Sequence, residues 1–239
     1  MTSTTLPPGL APVRPQGWKA RGAVFDLDGT LVDNMAVHAE AFAIFVTRHG
    51  LPPLTMADRA RLDGKRNRDI FPDLFGRPLP EDELRAFIHE KESLYRELSH
   101  GRLLPMPGLL ALLDALDAAH VPVAIATSAP ADNVRHTLRE LDLTDRLTRI
   151  VRSDRVARGK PFPDVFLAAG ELIGIAPADC LAFEDAPAGV LAARAAGMAC
   201  IAVTTGFSAE DLAAAGASPD LAVRDYDEFL SVARSQGLL

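Results

Sequence analysis

Residues 24–34 read VFDLDGTLVDN, an apolar run that ends in two carboxylates, Asp26 and Asp28, around one leucine, with a third, Asp33, soon after. Like charges this close repel, and taking carboxylates out of water is costly unless a cation or hydrogen-bond donors compensate. The cluster needs a partner. The segment ARGAVFDLD, 20–28, is short and apolar with its acids at the carboxyl end, which predicts a buried strand running into a turn.

Outward from this strand, further β-prone segments lie at VPVAIAT (121–127), RIVR (149–152), CLAFED (180–185) and ACIAVTTG (199–206). Helical periodicity fills the gaps, in GLLALLDALDAAH (108–120), ADNVRHTLRELDL (131–143), PDVFLAAGELIGI (163–175) and AGVLAARAAG (188–197). Such alternation specifies an α/β fold, a Rossmann-like doubly wound parallel sheet with helices on both faces. An edge strand at 221–223 and a closing helix from Tyr226 complete it. Ligands of such sheets sit outside the carboxyl ends of the strands, and Asp26, Thr127 and Asp185 each fall at one of those ends.

The core is expected to comprise 20–34 and 105–239. Between them, 35–104 has no convincing strand but carries helical patterns, AVHAEAFAIFVTRHG (36–50) with a glycine stop and EDELRAFIHEKESLYREL (81–98) with an acidic start. An insertion of this size is a small helical cap domain, placed to act as a lid over the strand ends. The Pro-rich start, residues 1–19, is read as a disordered extension without the apolar core of a signal peptide.

Bulk properties narrow the function. A chain of 239 residues that is 48% hydrophobic can fold alone, and a net charge of -7 argues against nucleic acid as a partner. The most basic stretch, RARLDGKRNRD (59–69), is mixed in sign. No run of about 18 apolar residues could span a membrane, which points to the cytoplasm. Cys180 and Cys200 are too few for a disulfide framework and read as core thiols. Nothing marks a subunit interface, so a monomer is the default.

Carboxylate oxygens suit a hard cation such as Mg2+, and Glu184 and Asp185 could complete a site beside Asp26. A carboxylate can also attack phosphorus and split one displacement into two. That chemistry needs a nucleophile, an acid/base, electrophilic stabilisation of the moving phosphoryl group and a metal. Asp26 and Asp28 can supply the first two. Thr127 and Ser128 in ATSAP offer donors to phosphoryl oxygens, and Lys160 in ARGKPFPD offers a positive charge.

Together DLDGT (26–30), TSA (127–129), GKPFPD (159–164) and FEDAPAG (183–189) resemble, in order, the four motifs of the haloacid dehalogenase superfamily. The helical insertion after the first motif resembles the subgroup that includes β-phosphoglucomutase and small sugar phosphatases. The resemblance implies an aspartyl-phosphate enzyme with Asp26 as nucleophile, Asp28 as general acid/base, and Thr127 and Lys160 holding the phosphoryl group. It implies Mg2+ bound by the Asp26 side chain, the Asp28 backbone carbonyl and Asp185, with Glu184 assisting. His38 would help to position Asp28, while Ser128, Lys65, Asn67 and Arg68 would contact the substrate.

Asp28 separates the chain from the family's dehalogenases, and GKRNRD (64–69) does not resemble the cap motif of its phosphonatases. In the mutase an arginine three residues after the cap glycine grips a distal phosphate. Here Asn67 stands three after Gly64, with Arg68 one place later. The expected activity is therefore Mg2+-dependent hydrolysis of small phosphate esters, sugar or polyol phosphates, with a phosphosugar mutase as the alternative.

Overall fold

A computed structural model describes residues 19–238. The expected extension at 1–19, all but its last residue, lies outside the described residues. Six strands, β1 (Gly22–Phe25), β2 (Val123–Thr127), β3 (Ile150–Arg152), β4 (Cys180–Glu184), β5 (Ala199–Val203) and β6 (Leu221–Val223), form one parallel sheet in the order β3-β2-β1-β4-β5-β6. The chain leaves β1 in one direction to build β2 and β3 and returns to its other side for β4 onward. The carboxyl end of β1 is thus the point where the winding reverses, the place such sheets leave a crevice.

Register brings the ends of β2, β1 and β4 within two residues of one another. Phe25 pairs with Ile125 on one side and Phe183 on the other. The Asp26 backbone N–H still donates to the Phe183 carbonyl at 2.9 Å, so the chain is held straight up to the first carboxylate. Successive residues point to opposite faces. Ala23 and Phe25 enter one core, while Val24 enters the other with Val165, Phe166 and Val190. The first core is closed by α5 (Leu109–Ala118) and α10 (Tyr226–Gln236), the second by α7 (Asp164–Ile173) and α8 (Pro187–Ala195). Helices α6 (Ala131–Glu140) and α9 (Ala209–Ala214) follow β2 and β5.

Between β1 and α5 the chain forms α1 (Met35–Arg48), α2 (Met56–Leu62), α3 (Asn67–Phe75) and α4 (Glu81–Ser99), with no named strand. Phe45, Phe71, Leu84, Leu94 and Tyr95 give these helices an apolar cluster of their own. The periodicity that predicts α1 and α4 is too short to resolve α2 and α3. The start of α2 is nevertheless marked by a capping box, in which the Thr55 hydroxyl accepts from the Asp58 N–H and the Asp58 carboxylate from the Thr55 N–H.

The strand expected at 199–206 ends at Val203. Thr204 and Thr205 turn away, and the Thr205 hydroxyl donates to the Gly29 carbonyl at 2.6 Å, tying the loop after β5 to the turn after β1. No described helix is long and apolar enough to cross a membrane.

Phe183 stacks on Phe25 at 4.5 Å and meets the edges of Tyr226 and Phe229 at 5.5 and 5.0 Å. Removing this ring empties the centre of the larger core. Phe183→Ala is expected to cost about 3–5 kcal/mol, measured as a lower urea midpoint; a loss under about 1 kcal/mol would contradict the packing described.

Candidate active site

At the carboxyl end of β1, Asp26 is almost fully buried and faces two groups that lie deeper still. The Lys160 ammonium donates to Asp26 Oδ1 and to Glu184 Oε1, each at 2.5 Å. The other Glu184 oxygen accepts the backbone N–H groups of Asp185 and Ala186 at 3.0 and 3.2 Å. Glu184 fits only because residue 189 is glycine, since a Cβ there would lie 1.8 Å from Oε1. Both its oxygens have donors, so its part is to hold Lys160.

One ammonium does not balance this cluster. Oxygens of Asp26, Glu184 and Asp185 lie within 4.8 Å of one another, and Asp185 Oδ2 is buried without a hydrogen-bond partner. Burial pushes the Asp26 carboxyl up to about 8, with Lys160 opposing and Glu184 reinforcing. Burial, then the charges of Glu184 and Asp26, drives Asp185 well above its usual range. An orphaned oxygen among carboxylates is a donor set fitted to a hard cation.

Asp28 has other partners. Its Oδ1 accepts from the Asn34 amide at 2.7 Å and lies 3.5 Å from His38 Nε2. Burial raises the Asp28 pKa, but His38, Asn34 and Lys91 outweigh it and leave the carboxyl below its ordinary value. His38 stacks on Tyr95 at 3.9 Å, and its Nδ1 lies 3.0 Å from the Lys91 ammonium. Lys91 can only donate, which assigns the ring proton to Nε2, facing Asp28. Lys91 also donates to Glu92 at 2.9 Å, and Glu92 accepts the amides of Asn67 and Asn133 at 2.7 and 2.5 Å.

Above Asp26 and Asp28 is a cavity of about 80 Å3, walled by Ser128, Asn133 and Asp185 of the sheet layer and by His38, Lys65, Asn67, Lys91 and Glu92 of the insertion. Thr127 and Lys160 are buried below it. Thr127 Oγ1 accepts the Ala129 N–H at 3.0 Å, and the Ser128 hydroxyl donates to the Gly64 carbonyl of the insertion at 2.7 Å. Arg68 is not brought to this cavity, contrary to the expectation of substrate contact. It is exposed and paired with Glu81 at 3.0 Å, because one residue beyond Asn67 on α3 the side chain points about 100° further round the helix.

Asn34, Asp63, Lys91, Glu92, Tyr95 and Asn133 belong to the site or its support and escape the motif reading. Lys91 and Glu92 left a signal. Leu84, Lys91 and Tyr95 fall on one buried face of α4, so charged residues occupy positions where helical periodicity demands apolar ones.

Comparisons with known proteins agree with this geometry. The family model described as haloacid dehalogenase-like hydrolase matches residues 23–203, and the chain belongs to that family of enzymes. It is 34% identical over 217 residues, 86% of this chain and 94% of the relative, to validoxylamine A 7'-phosphate phosphatase of Streptomyces hygroscopicus subsp. limoneus. Hexitol phosphatase A of Escherichia coli is 37% identical over 77% of this chain and 83% of its own. β-Phosphoglucomutase of Bacillus subtilis is 31% identical over 78% and 84%. The crystal structure of a hydrolase from Pseudomonas syringae superposes with a TM-score of 0.78 at 28% identity, covering 90% of this chain and 98% of that one.

Gly29 carries the turn between the two aspartates with φ +77°, and a Cβ there would lie 2.1 Å from Asp185 Oδ2. Gly50 has φ +66° with open space around it. Gly50→Ala should therefore cost only the left-handed strain, about 1–2 kcal/mol, and Gly29→Ala clearly more. Equal losses in chemical denaturation would show that Gly29 is not pressed against Asp185.

Proposed function

We propose that this enzyme is a Mg2+-dependent cytoplasmic phosphatase of small phosphate esters, sugar or polyol phosphates, acting through a covalent phosphate on Asp26. The observation that carries the reading is the division of labour between two neighbouring carboxylates. Asp26 lies in an under-compensated buried cluster that fits a cation, while Asp28 is bonded separately to Asn34 and faces His38.

Asp28, ionised in the free enzyme, takes up a proton as the anionic phosphate docks beside it. Asp26 attacks phosphorus, the bond from phosphorus to the ester oxygen breaks, and Asp28 gives that proton to the departing alkoxide. Asp28 then takes a proton from water, whose oxygen attacks phosphorus, so that phosphate leaves and Asp26 is regenerated. Lys160 and the Thr127 layer hold the transferring oxygens and the nucleophile in place. Asn34 and His38 fix the Asp28 carboxyl over the leaving group. Asp26 and Asp185 would hold Mg2+, which would supply charge to offset repulsion between the nucleophile and the phosphate.

The charges of the insertion favour a phosphatase over a mutase. Lys91 is tied to Glu92, Arg66 to Asp69 at 2.7 Å, Arg68 to Glu81 and Arg59 to Asp63 at 2.8 Å. Among the described residues lining the cavity, Lys65 is the lysine or arginine without a carboxylate in salt-bridge range. A single lysine is a weak clamp for a second phosphate. Asn67, Asn133 and Glu92 suit the hydroxyls of a neutral polyol.

Turnover of a panel of hexitol, hexose and glycerol phosphates with Mg2+ is expected to release inorganic phosphate, and Asp26→Asn to lower it at least about a thousandfold in a protein that still folds. Conversion of β-glucose 1-phosphate to glucose 6-phosphate without free phosphate would make the enzyme a mutase.

Ligation also requires Asp26 and Asp185 to shed protons that burial stabilises. A raised pKa keeps them protonated at lower pH, so Mg2+ affinity should climb as pH rises through about 8. Titration calorimetry in two buffers of different ionisation enthalpy should register proton release; pH-independent binding without it would overturn the ligand assignment.

A further inference from the structure

A second cavity, of about 180 Å3, opens beside the first within the insertion. The two share Met35, His38, Phe42 and Asp63 as their common wall. The rest of its lining is mainly apolar, from Ala39, Ala43 and Val46 of α1 and from Pro53 and Leu54 beyond it. Most polar groups on this wall are engaged elsewhere, and His38 Nε2, which has no hydrogen-bond partner, is turned to Asp28. The Thr47 hydroxyl donates to the Ala43 carbonyl at 2.8 Å, the two His38 nitrogens face Lys91 and Asp28, and Arg59 directs Nε and Nη2 to Asp63 at 3.0 and 2.8 Å. Charges of opposite sign thus cancel, and the space is shaped for a group that asks for no hydrogen bonds. Apolar cavities of about 150 Å3 take up benzene, so this one has room for one ring.

Its position says which part of a ligand would reach it. Asp28 stands where the leaving oxygen departs, and His38, 3.5 Å from Asp28, is itself part of the common wall. The leaving alcohol, and not the phosphate, is the end of the substrate beside this cavity. Met35 and Phe42 in the wall are only partly buried. We infer that the second cavity is a specificity subsite for an apolar group, about one ring in size, borne by the leaving alcohol. The substrate class is then a phosphorylated polyol with an apolar substituent, the hydroxyls facing Asn67, Glu92 and Asn133 and the substituent lying against Phe42, Val46 and Leu54. The inference rests on the phosphatase reading.

The test compares the 3-O-methyl, 3-O-phenyl and 3-O-benzyl ethers of glycerol 1-phosphate, which differ only in the apolar group, with glycerol phosphate and hexitol phosphate as the baseline. An aryl ether is expected to exceed the methyl ether about tenfold in kcat/KM, chiefly through KM. Ala43→Phe, which fills the cavity from the exposed side of α1, should abolish that preference and leave methyl ether turnover unchanged. Thr47→Phe, one turn further on, is a second plug. No aryl preference, a preference that survives both plugs, or plugs that depress all ethers equally would overturn the subsite while leaving the phosphatase reading intact. No turnover of any ester, glycerol and hexitol phosphates included, would remove the phosphatase reading and the subsite with it.

Discussion

Lys160 is the fixed point of the site. A buried ammonium is stable only with close counter-charges and full hydrogen bonding, and this one has Asp26 on one side and Glu184 on the other. The converse holds for the carboxylates, whose crowding at the ends of β1 and β4 is tolerable because Lys160 lies between them. The ammonium compensates only part of the charge. Asp185 remains with a buried oxygen that has no hydrogen-bond partner, and the three carboxylates form a donor set that fits a hard cation. A protein that only needed to be stable would be better served by apolar residues here, so the retained charge is the signature of chemistry.

Much of the fold's regularity serves to keep that cluster rigid. The register across β2, β1 and β4 sets Asp26 level with Ala126 and Glu184, with Thr127 and Asp185 one residue further on. Gly189 leaves room for Glu184 and Gly29 for Asp185. Thr205, reaching from the loop after β5 to the Gly29 carbonyl, and Tyr226, whose hydroxyl donates to the Thr30 carbonyl at 3.0 Å, brace the turn that holds both aspartates.

The insertion is built into the site as well as over it. Asn34, at the start of α1, bonds Asp28, the Gly29 N–H at 3.0 Å and the Tyr95 hydroxyl at 2.7 Å. Across the boundary, Glu92 takes the Asn133 amide, Arg96 donates to the Asn133 carbonyl oxygen at 2.8 Å, and Ser128 donates to Gly64. Any displacement of the insertion must break these bonds together and disturb the surroundings of Asp28. The walls of the cavity and the surroundings of Asp28 are thereby coupled through the same few side chains.

The sequence by itself determined the sheet, because buried parallel strands are short apolar runs alternating with amphipathic helices, and each of these leaves a local periodicity. It also determined the acids at the strand ends, since DLDGT and FEDAPAG place them within one or two residues of an apolar run. What only the tertiary structure decided depends on contacts between residues far apart in the chain. The pairing of Lys160 with Asp26 spans 134 positions and that of Glu92 with Asn133 spans 41, and no local pattern encodes either. Arg68 turns outward to Glu81 while its neighbour Asn67 faces the cavity, a distinction set by where α3 begins. The apolar cavity beside His38 exists because α1 and the chain after Gly50 leave a space between them, and spaces have no residues of their own to be read.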